Sequence, residues 1–184
     1  MKTEARMEYV KYISETDDAE ALLGELMTAY GREVWNYAYC IVRSRDMADD
    51  ITQDVFLKVY RHIRSFRRDS SVKTWLLTIT RNTAFDYRRS AFIRKVTLTD
   101  WLEDRKDDRS PEREVLEREA LDEIWRMVLK LPVKYREALI LFAHHQLSMK
   151  EIAEMLGVTE GTVKSRLFHA RQKLAKMRGG SGHG

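Results

Sequence analysis

Residues that interrupt helices are scarce along most of this chain. Of its 184 residues, two are proline and eight are glycine, and four of those glycines fall within the last six positions. Few helix breakers therefore lie between Met1 and Arg178. One glycine, Gly31, falls inside a repeating apolar pattern and marks a candidate break there. The scarcity of breakers favours an all-α protein.

Apolar residues recur at three- and four-residue steps over three stretches of the N-terminal half. This spacing puts them on one face of a helix, so it predicts helices at about 18–42, 46–66 and 72–89. Either Ser70 or Ser71 is suited to cap the third helix.

A charged stretch separates two groups of predicted helices. From residue 90 to residue 110 the apolar periodicity fades, and Ser110 with Pro111 then forms a strong helix start. The sequence therefore predicts two compact helical domains joined by a charged linker. In chain order we expect an N-terminal extension at 1–15, a first domain at 16–95, a linker at 96–111, a second domain at 112–178 and a flexible tail at 179–184.

Charge alternates in sign along the chain although the net charge is only +4. Residues 46–60 and 100–119 carry net charges of −3 and −4, whereas residues 61–95 and 159–178 carry +8 and +5. Two basic blocks separated by acidic ones indicate two surfaces that bind polyanions. The alternative is a set of solvated helix faces that differ in sign.

The strongest local signal is a helix-turn-helix at residues 148–174. Ser148 and Glu151 form a capping box, Gly157 falls where the turn needs a positive φ, and Thr159 caps the next helix. In this motif the second helix enters the major groove of DNA. The alternative is an ordinary helical hairpin used for packing, which the one-sided basic charge of the second helix makes less favourable.

The outward face of that second helix carries polar, basic and aromatic side chains suited to base edges. Lysine bonds guanine acceptors, serine bonds several bases, and phenylalanine contacts the thymine methyl group. Lys173, Lys176 and Arg178 are expected to face phosphates, which set affinity without reading sequence.

The predicted second helix has an acidic face opposite its apolar stripe. Asp46, Asp50 and Asp54 follow one another at four-residue steps, and Asp49 and Gln53 form a neighbouring row. Like charges at this spacing repel, so a basic partner would stabilise them. A solubilising surface is the alternative, and a carboxylate metal site is weaker because no histidine lies at ligand spacing.

The loop and predicted third helix interleave arginine and lysine with Trp75, Phe85 and Tyr87. Basic side chains beside aromatic rings are typical of surfaces that bind single strands. Trp75 also shares the apolar face with Ile79, which favours a core position for it. The loop at 67–71 is the better candidate for contacting an extruded base.

The sequence contains no familiar enzyme motif and no membrane-spanning signature. Phosphate-binding loops, dinucleotide fingerprints, zinc-protease motifs and nucleophile elbows are absent, so we expect no catalytic residues, no cofactor and no metal. The N-terminus has no apolar signal region, and no apolar run is long enough to span a membrane. With the single Cys40, this predicts a cytoplasmic protein without direct membrane insertion.

The order of these parts resembles the bacterial sigma factors of the extracytoplasmic-function class (ECF, group IV of the sigma-70 family). The resemblance covers about residues 20–178: residues 46–63 resemble region 2.2, residues 66–89 resemble regions 2.3 and 2.4, and residues 131–174 resemble region 4. His169 stands where many relatives carry arginine. We expect the larger sigma domains 1.1 and 3 to be missing from a chain of this length, in agreement with this compact class.

The resemblance implies a subunit that binds core RNA polymerase through its β′ clamp and β subunits and directs it to promoter DNA. It implies docking by Asp49, Asp50, Gln53 and Asp54. Recognition and melting of the −10 element are expected from Arg67, Arg68, Asp69, Ser70, Ser71, Lys73, Arg81, Asn82, Arg88 and Arg89. Recognition of the −35 element is expected from Thr159, Glu160, Thr162, Lys164, Ser165, Arg166, Phe168, His169 and Arg171.

Further expectations follow from the same resemblance. An anti-sigma factor is an implied partner, and the acidic linker would thread toward the polymerase active-site and RNA-exit channels. An autonomous dimeric helix-turn-helix regulator remains the alternative, and it would need a dimer interface and a palindromic DNA site.

Overall fold

The architecture was obtained as a computed structural model, which describes residues 19–63, 66, 70–98 and 123–180. Within those residues the chain forms seven α-helices and no strand. They are α1 (Ala19–Val42), α2 (Arg45–His62), α3 (Val72–Leu98), α4 (Glu123–Lys130), α5 (Val133–Ala143), α6 (Met149–Leu156) and α7 (Glu160–Gly180). The all-α prediction is confirmed.

The chain divides into two compact units, Met1–Arg89 and Ser90–Gly184. The finer domain boundaries expected at residues 95 and 111 stay predictions. None of the described helices combines the length and the apolar character that a membrane span requires.

In the first unit, α1 packs against α2 through a continuous apolar face. Leu22, Leu26, Tyr30, Val34 and Tyr37 are all buried and follow one another at three- and four-residue steps. The helix runs through Gly31 without interruption, so the predicted break is wrong. Tyr30 before this glycine and Val34 after it are both buried, and their packing outweighs the low helix propensity of glycine.

The connection between α1 and α2 is a two-residue reversal. Arg43 has a positive φ of 57° and its backbone N–H donates to the carbonyl of Tyr39 at 2.8 Å. Ser44 then caps α2, with its Oγ accepting from the N–H of Met47 at 3.4 Å. The short connection makes the two helices antiparallel neighbours.

The third helix begins where the sequence predicts and ends later. Ser71 caps it, because its Oγ accepts from the N–H of Thr74 at 3.0 Å. The helix continues past Arg89 to Leu98, so its predicted end at about residue 89 is wrong. No glycine or proline lies in this extension, so its sequence contains no strong helix breaker. The remainder of the predicted linker lies outside the described residues.

In the second unit, a buried guanidinium group joins α5 to the end of α4. Arg136 is only 4% exposed, and its Nη1 donates to the carbonyls of Leu129 (2.7 Å) and Leu131 (2.9 Å). Helix ends leave carbonyls without intrahelical partners. Arg136 of α5 therefore satisfies the C-terminal end of α4 and orients the connection through Pro132.

The helix-turn-helix of α6 and α7 has the predicted local geometry. Ser148 and Glu151 form the capping box, with both reciprocal hydrogen bonds present. Gly157 has φ 65° and ψ 39°, and Thr159 caps α7 by accepting from the N–H of Thr162 at 3.2 Å. Each of these features is confirmed.

The turn provides a test of this geometry by stability. Gly157→Ala is expected to lower the free energy of unfolding by about 1 kcal/mol, because alanine is strained at positive φ. No atom lies within 4 Å of the added Cβ, so backbone strain is the only cost. Urea denaturation followed by circular dichroism measures the change.

Gly161→Ala is the matched control, because Gly161 lies in α7 and its added Cβ meets only the Thr159 Oγ1 at 3.7 Å. This variant is expected to be as stable as the wild type or up to about 1 kcal/mol more stable. Equal effects of the two substitutions would contradict the assigned turn.

Candidate functional site

The acidic surface of α2, formed by Asp49, Asp50, Gln53 and Asp54, faces away from the core of the first unit. Asp49, Asp50 and Gln53 are exposed, and Asp54 is half-buried. The opposite face of α2 is buried, including Ile51, Val55 and Val59. All four side chains of the acidic surface are therefore placed along one exposed flank of the helix.

Two carboxylates of the acidic surface accept hydrogen bonds from aromatic side chains of neighbouring helices. The indole Nε1 of Trp35 in α1 donates to Asp49 Oδ1 at 2.6 Å. The phenol of Tyr87 in α3 donates to Asp54 Oδ2 at 2.6 Å. Sequence reasoning missed both bonds, because the partners lie 14 and 33 residues apart and no spacing rule connects them.

The one basic residue between positions 46 and 60, Lys58, is directed toward α3. Its Nζ donates to the Oγ1 of Thr83 at 2.9 Å. An aspartate four residues before a lysine commonly forms an ion pair on a helix surface. Among the described residues, however, the amine of Lys58 bonds a neutral hydroxyl group and leaves the charge of Asp54 in place.

The environment of Tyr87 raises the pKa of its phenol to about 12. The largest cause is the hydrogen bond to Asp54, followed by burial and by the negative charges of Asp54 and Asp50. Each of these disfavours a phenolate next to a carboxylate. Tyr87 therefore stays protonated and remains a donor throughout the neutral pH range.

A basic and aromatic flank lies on α3. The guanidinium groups of Arg81 and Arg88 lie over the ring of Phe85, 4.8 and 5.7 Å from its centroid. Arginine positioned over an aromatic face in this way is held by a cation–π interaction. The sequence predicted basic side chains interleaved with Phe85, and these two arginines lie one turn before it and one turn after it.

The residues expected to bind the −10 element differ in their exposure. Ser70, Ser71, Asn82, Arg88 and Arg89 are exposed, whereas Lys73 and Arg81 are half-buried. Several members have partners within the fold. Ser71 caps α3, Lys73 Nζ lies 3.4 Å from Glu33 Oε2, and Arg89 Nη2 lies 2.7 Å from Asp86 Oδ1. Arg81 and Arg88 lie over the ring of Phe85. Three further expected residues, Arg67, Arg68 and Asp69, lie outside the described residues.

Trp75 takes a packed position rather than an open one. It is half-buried, and its ring centroid lies 4.9 Å from that of Phe66. This agrees with the interpretation of Trp75 as part of the apolar face of its helix.

The exposed face of α7 carries most of the residues expected to bind the −35 element. Val163, Leu167 and Ala170 are buried on its inner side. The residues exposed on the other side are Glu160, Lys164, Ser165, Phe168, His169, Arg171 and Gln172, while Thr162 and Arg166 are half-buried and Thr159 is exposed at the cap.

His169 is flanked by two aromatic rings. Its imidazole centroid lies 5.8 Å from the ring of Tyr135 in α5 and 5.6 Å from that of Phe168. These contacts hold the imidazole at the surface of the helix-turn-helix.

In the part of the chain that the structure describes, no three or more histidine, cysteine, aspartate or glutamate side chains are placed to share a metal ion. His144 is exposed and His145 is buried, so the adjacent pair points to different surroundings.

Comparison with known proteins identifies the family. A model described as Sigma-70 region 2 matches residues 26–91, and a model described as Sigma-70, region 4 matches residues 121–174. The ECF RNA polymerase sigma factor SigM of Bacillus subtilis is 30% identical over 155 residues, which cover 84% of this chain and 94% of SigM. The chain belongs to the ECF RNA polymerase sigma factors. Members of this family are transcription initiation factors that bind DNA, and the resemblance stated from the sequence is confirmed.

Two further relatives support the assignment. The ECF RNA polymerase sigma factor SigW of Bacillus subtilis is 30% identical over 162 residues, covering 83% of this ECF sigma factor and 87% of SigW. The ECF RNA polymerase sigma factor BldN of Streptomyces coelicolor is 31% identical over 175 residues, covering 94% of this chain and 66% of BldN.

Solved structures share the fold of this ECF sigma factor. The sigma factor RpoE, in complex with the anti-sigma factor NepR from Bartonella quintana, has a TM-score of 0.64 at 24% identity, covering 83% of this chain and 94% of RpoE. CnrH, in complex with the cytosolic domain of CnrY, has a TM-score of 0.65 at 24% identity, covering 95% of this chain and 97% of CnrH.

The hydrogen bond between Tyr87 and Asp54 predicts a defined pH dependence. The pKa of the folded phenol is about 12, above its ordinary value of 10.0. The stability that the bond contributes, about 1 kcal/mol, is therefore present below pH 10 and is lost as the pH rises from 10 through 12.

Tyr87→Phe is the matched variant for this measurement. Urea unfolding should show the wild type to be more stable than the variant at pH 8, with the difference shrinking above pH 10. Absorbance of tyrosinate should show one fewer group titrating near pH 12 in the variant. A constant stability difference between pH 8 and pH 12 would contradict the assigned bond.

Proposed function

We propose that this ECF sigma factor docks on core RNA polymerase through the acidic surface of α2 and directs it to promoters by reading the −35 and −10 elements. The observation that carries the proposal is the placement of charge: Asp50 and Gln53 are exposed on α2, and Lys164 and Ser165 are exposed on α7. Folding buries the apolar faces of both helices and leaves these groups available to partners.

Docking of the acidic surface on the β′ clamp is supported by its charge and exposure. Residues 46–60 carry a net charge of −3. Complementary charge at such an interface accelerates association and selects the partner. Asp50 and Gln53 are proposed as direct contacts, and Asp49 and Asp54 as contacts whose carboxylates already have one partner within the fold.

Binding of the −35 element is assigned to α7 lying in the major groove. The exposed residues of its first turns are proposed to meet base edges, and Lys173, Lys176 and Arg178 to meet phosphates. The net charge of +5 between positions 159 and 178 supports a polyanion as the partner of this face. His169, held beside Tyr135 and Phe168, is proposed to contact DNA from the same face.

Recognition and melting of the −10 element are assigned to the flank of α3 with the loop before it. Arg81, Phe85 and Arg88 form an aromatic and cationic cluster there, which suits unstacked bases and the phosphates beside them. Capture of an extruded base would offset the cost of unstacking. Binding energy then opens the duplex, with no covalent step on the sigma factor itself.

An anti-sigma factor is proposed as a further partner. The structure of the sigma factor RpoE includes the anti-sigma factor NepR, and the structure of CnrH includes the cytosolic domain of CnrY. We propose that an equivalent protein occupies the polymerase-binding surfaces of this chain and that the chain acts in the cytoplasm.

Promoter-directed transcription tests the function as a whole. Purified core polymerase with the added chain is expected to give new start sites in run-off transcription across a genomic library, while the isolated chain binds promoters weakly. Tight binding of a palindromic duplex by an isolated dimer, without polymerase, would favour the autonomous regulator instead. Absence of any new start site would contradict the sigma function.

Reversal of charge tests the docking surface. Asp50→Lys combined with Gln53→Ala is expected to weaken binding of core polymerase about 100-fold or more, because a like charge then faces the basic partner. Glu25→Lys is the control, since Glu25 is also exposed in the first unit but lies on α1. Fluorescence anisotropy of the labelled chain measures affinity, and unchanged binding by the double variant would remove α2 from the interface.

Two lysines of α7 separate base contacts from phosphate contacts. Lys164→Ala is expected to reduce discrimination between −35 sequences by about 10-fold to 100-fold. Lys176 lies more than one helix turn beyond the proposed base contacts. Lys176→Ala is expected to weaken binding to all −35 sequences equally and to reduce the salt dependence of DNA binding by about one counterion. Holoenzyme binding to promoter variants measures both, and identical profiles for the two variants would contradict the proposed orientation of α7.

A further inference from the structure

We propose that Trp35 and Tyr87 are positioning residues that hold the carboxylates of Asp49 and Asp54 in place for a basic partner while leaving their negative charge intact. The inference rests on the proposed docking of the acidic surface on core polymerase. It assigns a role to two aromatic residues that lie on the helices flanking α2.

The geometry supports this role from both sides of α2. Trp35 reaches the acidic surface from α1 and Tyr87 reaches it from α3, and each donates to one carboxylate oxygen at 2.6 Å. A carboxylate offers about four acceptor positions on its two oxygens. One donor therefore fixes the orientation of each carboxylate and leaves capacity for a cationic group.

The ring of Trp35 is itself fixed. It stacks on Tyr39 with 5.2 Å between centroids and 9° between ring planes. Tyr39 is one helix turn further along α1, so its ring restrains one face of the indole. A restrained donor restricts the rotamers of Asp49 more than a mobile one would.

Whether a donor is neutral or charged determines how much negative charge the acidic surface keeps. An indole N–H and a phenol O–H are neutral, so their hydrogen bonds leave the carboxylates charged, whereas an arginine or lysine would cancel that charge. Lys58, one turn after Asp54 on α2, is close enough in sequence to form such an ion pair, yet its amine donates to the hydroxyl of Thr83 in α3. The acidic surface thus keeps its charge and also keeps a fixed shape.

Ordering side chains before association reduces the entropy lost on binding. Trp35→Phe and Tyr87→Phe each remove one donor without changing the formal charge. Each variant is expected to weaken binding of core polymerase by about 3-fold to 10-fold, the effect of immobilising one side chain. The dependence of affinity on salt should stay that of the wild type, because the number of charges is the same.

The experiment measures the affinity of the full-length chain for purified bacterial core RNA polymerase at several salt concentrations. Asp50→Asn serves as the charge control and is expected to lower both the affinity and its salt dependence. A change in salt dependence with either phenylalanine variant would overturn the inference.

Double-mutant cycles separate positioning from a general loss of structure. Trp35→Phe should change affinity less than twofold in an Asp49→Ala background, and Tyr87→Phe should do the same in an Asp54→Ala background. A variant that misfolds would lose affinity in both backgrounds, and that result would overturn the positioning role.

The outcomes also distinguish this inference from the proposed function. If both phenylalanine variants bind core polymerase within twofold of the wild type while the Asp50→Lys, Gln53→Ala variant does not bind, the positioning role is wrong and the docking surface stands. If the charge-reversed variant binds normally, the docking surface itself is wrong.

Discussion

Burial of Val163, Leu167 and Ala170 fixes the rotation of α7 about its own axis. A helix has only one rotation that places such a row against the core, and every other side chain then takes its direction from that choice. Lys164, Ser165 and Phe168 face outward for this reason. The same constraint acts on α2, where the buried row of Ile51, Val55 and Val59 leaves the acidic surface exposed.

Local rules of sequence account for the features that depend on neighbours along the chain. The capping box at Ser148, the positive φ of Gly157 and the cap at Thr159 each involve residues within four positions. Helical periodicity likewise predicted which residues of α7 lie outward. These parts of the fold and of the site were predictable because their energetics are settled within one or two turns.

Features that depend on tertiary contacts were not predictable in the same way. The bonds from Trp35 to Asp49 and from Tyr87 to Asp54 join different helices, so periodicity within one helix contains no information about them. The extension of α3 to Leu98 and the continuity of α1 through Gly31 were also missed. Charge and fading periodicity indicated that this helix ends at about residue 89, but neither ends a helix in the absence of a breaker.

Residues proposed to bind DNA already have modest partners within the fold, and this is compatible with binding. Arg89 pairs with Asp86 at 2.7 Å, with side chains 74% and 58% exposed. An exposed ion pair of this kind contributes at most about 1 kcal/mol, so a phosphate can replace it at little cost. Lys73 differs, because it is 14% exposed beside Glu33 and ties α3 to α1. Exposure therefore separates a cation that is available to a partner from one that chiefly holds the helix proposed to bind DNA in position.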